Sequence, residues 1–419
     1  MKGMKNNMGK VKNVLVEALR NDDKNSGELF QANGTFNAYK TGFPVLDYYL
    51  GTKINVFNSD GQLESNYNSL GITAGSINTI IGKTHTGKTS FAIQLASNIV
   101  RPFPNGTVIH CDLEGGTNYT RVGVLSKYTP DEMKDGKYIL RQMKCSIEEI
   151  KMMISKIYLK KMNNKSTFQY DTGKVNEFGD KIISFEPTCI IIDSVARLSS
   201  YINENTKDGL KSLEEVSTQT DQMRLTAEVG RFLKESIEML KAANIILFLI
   251  NHIKEKPPMG TPQAPELRYL KQNETLPAGK ALQYYTNTMI RLTSIGAEKY
   301  EKSADGFDGF GATAQFVKNR SNIDGTIVPL VFDKVKGYDS LRSSISFAKN
   351  NELIGGNKNG YYFITNKEEK FTGVDIHKCF AENRNLYKIM YNNILPILET
   401  VLSSVEPDEI KVIDEEMDY

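Results

Sequence analysis

Four short segments rich in apolar residues mark the first 250 residues, with helical patterns between them. They are Ser76–Ile81, Thr107–Cys111, Thr188–Ile192 and Asn244–Ile250. Runs of this length without alternation suit strands covered on both faces. After the first run, Ala92, Leu95, Ala96 and Ile99 recur at helical spacing until Pro102 stops the pattern. Ile147–Lys160 is a second helical stretch. Met223–Leu240 is a third, with Leu225, Val229, Phe232, Leu233, Ile237 and Leu240 on one face. Strands alternating with helices predict an α/β fold with a mostly parallel central sheet and crossover helices. Thr288–Thr293, Thr313–Val317 and Ile327–Phe332 predict an antiparallel continuation of that sheet.

The polar stretches divide the chain. Residues 1–40 are lysine-rich, with a short helix expected at Val11–Leu19. Thr41–Gly51 reads as a turn and a short helix closed by glycine. Residues 52–70 read as a loop or hairpin, and 161–186 as a polar insertion with no assigned task. Beyond residue 340, Gly360–Ile364 reads as a strand and Ile389–Leu402 as a helix. Glu406–Tyr419 carries seven acidic residues and one lysine, an acidic tail. The expected divisions are 1–50, an N-terminal segment for subunit docking; 51–340, the core; and 341–419, a C-terminal domain with the tail.

Chemistry enters at the first strand. Gly82, Lys83, Thr84, His85, Thr86, Gly87, Lys88, Thr89 and Ser90 fit the phosphate-binding pattern G-x-x-x-x-G-K-[ST]. The glycines let backbone N–H groups face one anion, and the helix that follows adds its positive end. Lys88 suits the outer phosphates and Thr89 a magnesium ion, whereas His85 reads as a spacer. The pattern needs a strand before it and a helix after it, and the hydrophobic spacing supplies both.

In open parallel sheets, ligands gather beyond the carboxyl ends of the strands. There the sequence has Asp112 and Glu114, Asp193 and Ser194, and Asn251 and His252. Asp193 suits a magnesium-side carboxylate, with a helix cap as the alternative. Glu114 suits orientation of an attacking water, against a surface glutamate in a glycine-rich turn. Asn251 and His252 suit a sensor of the terminal phosphate, against a merely buried histidine.

Composition narrows the class. At 419 residues the chain exceeds one small core. Ile245–Ile250 is too short to span a bilayer, and no apolar stretch follows the N-terminal lysines. Cys111, Cys145, Cys189 and Cys379 show no metal spacing, which fits a reducing cytoplasm. A net charge of +2 leaves any nucleic-acid case to local patches.

Together these residues resemble the RecA family of DNA strand-exchange ATPases, from about Thr41 to Asp333. Thr41-Gly42, Leu46-Asp47 and Leu50-Gly51 are similar to its opening segment, Asp112-Leu113-Glu114 to its D-x-E, and Ile190–Ala196 to its Walker B sequence. Gly279–Tyr285 is similar to the segment after the second DNA loop, and Val317-Lys318-Asn319-Arg320 to a V-K-N-[KR] element. Asn251-His252 resembles the phage, UvsX-like branch, and Gly360-Tyr361-Tyr362 with the acidic tail the C-terminal domain. The resemblance implies a RecA-like P-loop NTPase core with a small N-terminal segment and a small α+β C-terminal domain. It implies ATP and Mg2+ as ligands and Glu114 as the catalytic carboxylate. Lys318 and Arg320, sharing one strand face, would reach the ATP of a neighbouring subunit; the alternative is an exposed basic strand edge. Tyr119 would lie against adenine, or else pack on the core.

The implied partners are single-stranded DNA, a homologous duplex, further copies of the chain in a helical filament, and single-strand-binding and loader proteins, with no membrane. Lys254, Lys256, Arg268, Lys271 and Lys280 in the long proline-rich loop, with Arg224, are the candidate DNA contacts. The loop after Asp193, Leu198–Gln222, is acidic. A ring helicase of the DnaB type and a KaiC-like or mediator ATPase with protein partners are the alternatives.

Overall fold

The structure is a computed structural model that describes residues 37–58, 62–142, 145–198, 219–255, 269–295, 307–357 and 360–403. The Val11–Leu19 helix, nearly all of the acidic loop after Leu198, Lys256, Arg268 and the acidic tail lie outside these residues. The central sheet has nine strands, numbered here in chain order: β1 Ile77–Gly82, β2 Thr107–Asp112, β3 Tyr138–Arg141, β4 Thr188–Asp193, β5 Ile245–His252, β6 Thr288–Ile295, β7 Gly309–Asn319, β8 Ile327–Asp333 and β9 Gly337–Tyr338. Their spatial order is β9-β8-β7-β6-β1-β5-β4-β2-β3. From β6 to β3 every pairing is parallel; from β6 to β9 every pairing is antiparallel.

The apolar strands are covered on both faces, and their period of two divides the core. On β5, Ile246, Phe248 and Ile250 join one hydrophobic cluster, and Ile245, Leu247 and Leu249 the other. The first cluster holds helices α1 (Pro44–Leu50) and α2 (Lys88–Val100). The second holds α4 (Ile147–Asn163), α5 (Gln219–Ala242) and α6 (Gly279–Tyr285); α3 (Tyr119–Ser126) joins α2 on the first face. Ser146 and Glu149 form a capping box that starts α4. Among the described residues no helix is long and apolar enough to cross a membrane.

Two expectations change. β6 runs parallel to β1, so the antiparallel part begins one strand later, at β7. Apolar content gives no strand direction; α6 supplies the crossover that lets β6 return parallel. β3 was not anticipated, because it is a four-residue edge strand with only Tyr138 buried.

The 52–70 stretch is a hairpin, Thr52–Phe57 with Leu63–Ser69. The 161–186 stretch ends α4, then forms a second hairpin, Gln169–Val175 with Lys181–Phe185. The two meet: Phe57 N donates to the Glu177 carbonyl at 2.9 Å, and the Tyr67 hydroxyl to that of Val175 at 2.8 Å. Helix α7 (Ser340–Asn350) packs on β8. The three-stranded sheet of Ile354–Asn357, Gly360–Phe363 and Asn366–Phe371, with helix α8 (Asn385–Ser403), extends the first cluster through Phe363, Phe371 and Leu398.

Candidate active site

Register sets the site. Asp193 at the end of β4 lies opposite Asp112 of β2, and His252 at the end of β5 lies opposite Gly82 of β1. The four polar strand ends therefore converge at one edge of the sheet.

The Gly82–Ser90 loop joins β1 to α2. A Cβ on Gly82 would stand 2.6 Å from the Leu292 carbonyl oxygen, so only glycine fits. Gly87 caps α2 with φ 77°, and a Cβ there would meet the Phe332 ring at 2.8 Å. Lys83, Thr84 and His85 are exposed at the apex, whereas Thr86, Lys88 and Ser90 are buried. The Tyr338 hydroxyl donates to the Thr86 carbonyl at 2.6 Å and backs the loop from the antiparallel edge. Lys83 forms an ion pair with Glu255. Lys88 Nζ donates to the Lys83 carbonyl at 2.7 Å, and burial pushes its amine down to about 8.

Across the cleft stand the carboxylates. Thr89 Oγ1 donates to Asp193 Oδ2 at 2.5 Å. Asp193 is buried, its Oδ1 has no hydrogen-bond partner, and desolvation pushes the carboxyl up to about 6 despite the Thr89 bond. Glu114 Oε1 accepts from Ser194 Oγ at 2.7 Å and lies 3.1 Å from His252 Nε2. Burial, then the charge of Lys88, hold His252 below the usual imidazole range, against the pull of Glu114. Thr89, Asp193 and Glu114 border a cleft of about 220 Å³, lined also by Ser90, Asp112 and Arg121 among others; Lys88 and His252 are not among its lining residues.

Two contributors escaped the sequence reading, Arg121 and Glu255, and a third, Asp112, is named there without a role of its own. Asp112 accepts from the N–H groups of Gly115 at 2.9 Å and Thr117 at 2.8 Å, so it builds the turn that carries Glu114. Arg121, on α3, lines the cleft and reaches Ser90 Oγ at 3.3 Å. No spacing rule marks it; only its place in the first turn of a helix after the D-x-E turn hints at it. Glu255, in the proline-rich loop, ties that segment to Lys83. Tyr119 is 48% exposed, accepts from Leu140 N at 3.3 Å, and is not among the cleft-lining residues.

The remaining candidates lie apart from the cleft. Asn251 Nδ2 donates to the Pro277 carbonyl at 2.6 Å, which fastens the far end of the proline-rich loop to β5. Lys254 and Glu255 pair antiparallel with Thr275 and Glu274, and the nearly buried Arg291 holds Glu274 at 2.9 Å. Lys254, Lys271 and Lys280 are exposed around this base, and Arg224 is exposed on α5. Lys318 Nζ donates to the carbonyls of Gln283 at 2.6 Å and Tyr284 at 3.2 Å, and Arg320 Nη2 to that of Tyr284 at 3.2 Å. Both cations thus cap the C-terminal end of α6. Arg320 is linked through Asn287 to Ile77, the opposite end of β1 from Gly82. Five residues of strand separate the two levels, roughly 16 Å at 3.3 Å per residue.

The sequence matches no protein-family model and no curated protein.

Proposed function

We propose that this chain is an ATPase of the RecA type that assembles on single-stranded DNA as a helical filament and exchanges strands with a homologous duplex. The observation that carries the reading is the 2.5 Å bond from Thr89 to Asp193, with Glu114 and His252 facing the same loop. Backbone N–H groups of Gly82–Ser90 and the amino end of α2 receive the phosphates of ATP. Lys88 leaves its bond to the Lys83 carbonyl for the outer phosphates, and Arg121 adds a second cation beside Ser90. Magnesium fits the residues present: Asp193 Oδ1 is unpaired and Thr89 offers a hydroxyl beside it, both hard oxygen donors. Bound there, the ion would neutralise charge on the phosphates. Glu114 orients the attacking water and takes its proton, while Ser194 and His252 hold the carboxylate in place.

Asn251 and His252 connect the terminal phosphate to the proline-rich loop, since His252 touches Glu114 and Asn251 holds Pro277. Lys254, Lys271 and Lys280, with Lys256, Arg268 and Arg224, then follow the DNA backbone. Lys318 and Arg320 stand too far from their own loop to touch its nucleotide, so they serve the nucleotide of the next copy. Electron microscopy of the chain with ATP and single-stranded DNA tests the whole reading. A helical filament is expected; a closed ring would favour a helicase, and no assembly would favour an ATPase with protein partners.

A further inference from the structure

Two cleft-lining carboxylates and the neighbouring His252 form a ligand set that a magnesium nucleotide does not fully use. Glu114, Asp193 and His252 each bring one donor atom, and the three atoms lie within 4.8 Å of one another. His252 Nε2 and Glu114 Oε1 are hydrogen-bonded at 3.1 Å. Two ligands of a tetrahedral zinc-type ion stand about 3.4 Å apart, the edge set by bonds of about 2.1 Å. An ion that replaced the shared proton would therefore need little movement of the pair. A second observation is independent of the cluster's acidity. Asp193 is 3% exposed, yet its Oδ1 accepts no hydrogen bond, while Oδ2 is occupied by Thr89. A buried carboxylate oxygen left without a donor calls for a ligand.

The donor chemistry selects the ion. Magnesium prefers oxygen ligands and retains water, whereas one imidazole with two carboxylates suits zinc, cobalt or nickel. Two cations are felt at His252, Lys88 and then Lys254; Lys88 is tied to the Lys83 carbonyl at 2.7 Å within the loop, and Lys254 is exposed to solvent.

We propose that the nucleotide-free chain holds one divalent transition-metal cation between Glu114, Asp193 and His252. The site engages the residues assigned above to water activation, metal contact and phosphate sensing. An ion held there keeps the cleft from magnesium nucleotide, so trace zinc acts as an inhibitor. The binding itself does not require the ATPase reading to be correct.

Cobalt(II) titrated into the full-length, nucleotide-free chain tests the site through its visible absorption bands. One saturating equivalent is expected, unaffected by millimolar magnesium. His252→Gln should weaken it by at least about tenfold, the scale on which even outer-shell changes act. Glu114→Gln, at a solvent-edge position, should do the same and guards against a folding defect in the histidine variant. No saturable cobalt binding, or an affinity unchanged in both variants, overturns the proposal. Loss of binding in both variants upholds it even if the chain never binds ATP, so the two readings fail separately.

Discussion

Asp193 sits where burial and charge oppose each other most directly. Burial pushes its carboxyl up to about 6, and pushes the Lys88 amine down to about 8. A carboxylate must be ionised to hold magnesium, so if Asp193 takes the proposed ion, magnesium affinity should fall as pH drops through 6. If Lys88 meets the phosphates as a charged amine, nucleotide affinity should fall as pH rises through 8. ATP hydrolysis should then follow a bell with limbs near these values. In Asp193→Asn, magnesium affinity should fall by about tenfold or more, and the acid limb should shrink to the titration of the nucleotide's own phosphate. Steady-state rates and magnesium titrations from pH 5 to 9 check this; an unchanged acid limb would remove Asp193 from the metal. At this scale Glu114, Asp193 and His252 were legible, because each follows an apolar strand. Arg121 was not, since its place in the cleft depends on how α3 packs against α2.

Helix α1 shows how an element carries a charge into the core. Asp47 Oδ1 accepts from Thr41 N at 2.7 Å and Thr41 Oγ1 at 2.6 Å, and burial pushes the carboxyl up to about 7. The folded chain binds this proton more tightly than the unfolded chain does. The group therefore favours folding below about pH 4, its ordinary value, and loses that contribution as pH rises through 7. Asp47→Asn keeps an acceptor for Thr41 without the charge. It should raise stability at pH 8 by on the order of 1–3 kcal/mol and flatten the pH dependence between 4 and 7. Urea unfolding across that range decides it; an unchanged slope would mean that Asp47 titrates like an exposed carboxyl. The hairpins at 52–70 and 161–186 teach a related lesson. Each is largely polar, with a few buried apolar residues such as Ile54, Val56 and Ile182, and contacts through Phe57, Tyr67, Val175 and Glu177 join them.

At the scale of the whole molecule, the question is which chain completes which cleft. Lys318 and Arg320 cap α6 at the opposite end of the sheet from their own loop. If each serves a neighbour, two inactive variants should rescue one another. A Lys88→Ala chain keeps the cations, and a chain with Lys318→Ala and Arg320→Ala keeps the loop. Mixed in equal amounts with DNA, they should recover roughly a quarter of the parent ATPase rate, the share of competent junctions in a random head-to-tail order. A mixture as inactive as its components would return both cations to a structural role.

The sequence alone indicated the layered α/β plan, because strand-length segments dominated by apolar residues, Ile245–Ile250 above all, tolerate no exposed face. It also marked the Gly82–Ser90 loop and the strand-end carboxylates, because their chemistry is local. Only the tertiary structure decided the direction of β6, the edge strand β3, the role of Asp112 beneath Glu114, and the approach of Arg121. Those features arise from contacts between residues distant in the chain, and spacing along the chain does not record which distant residues will meet.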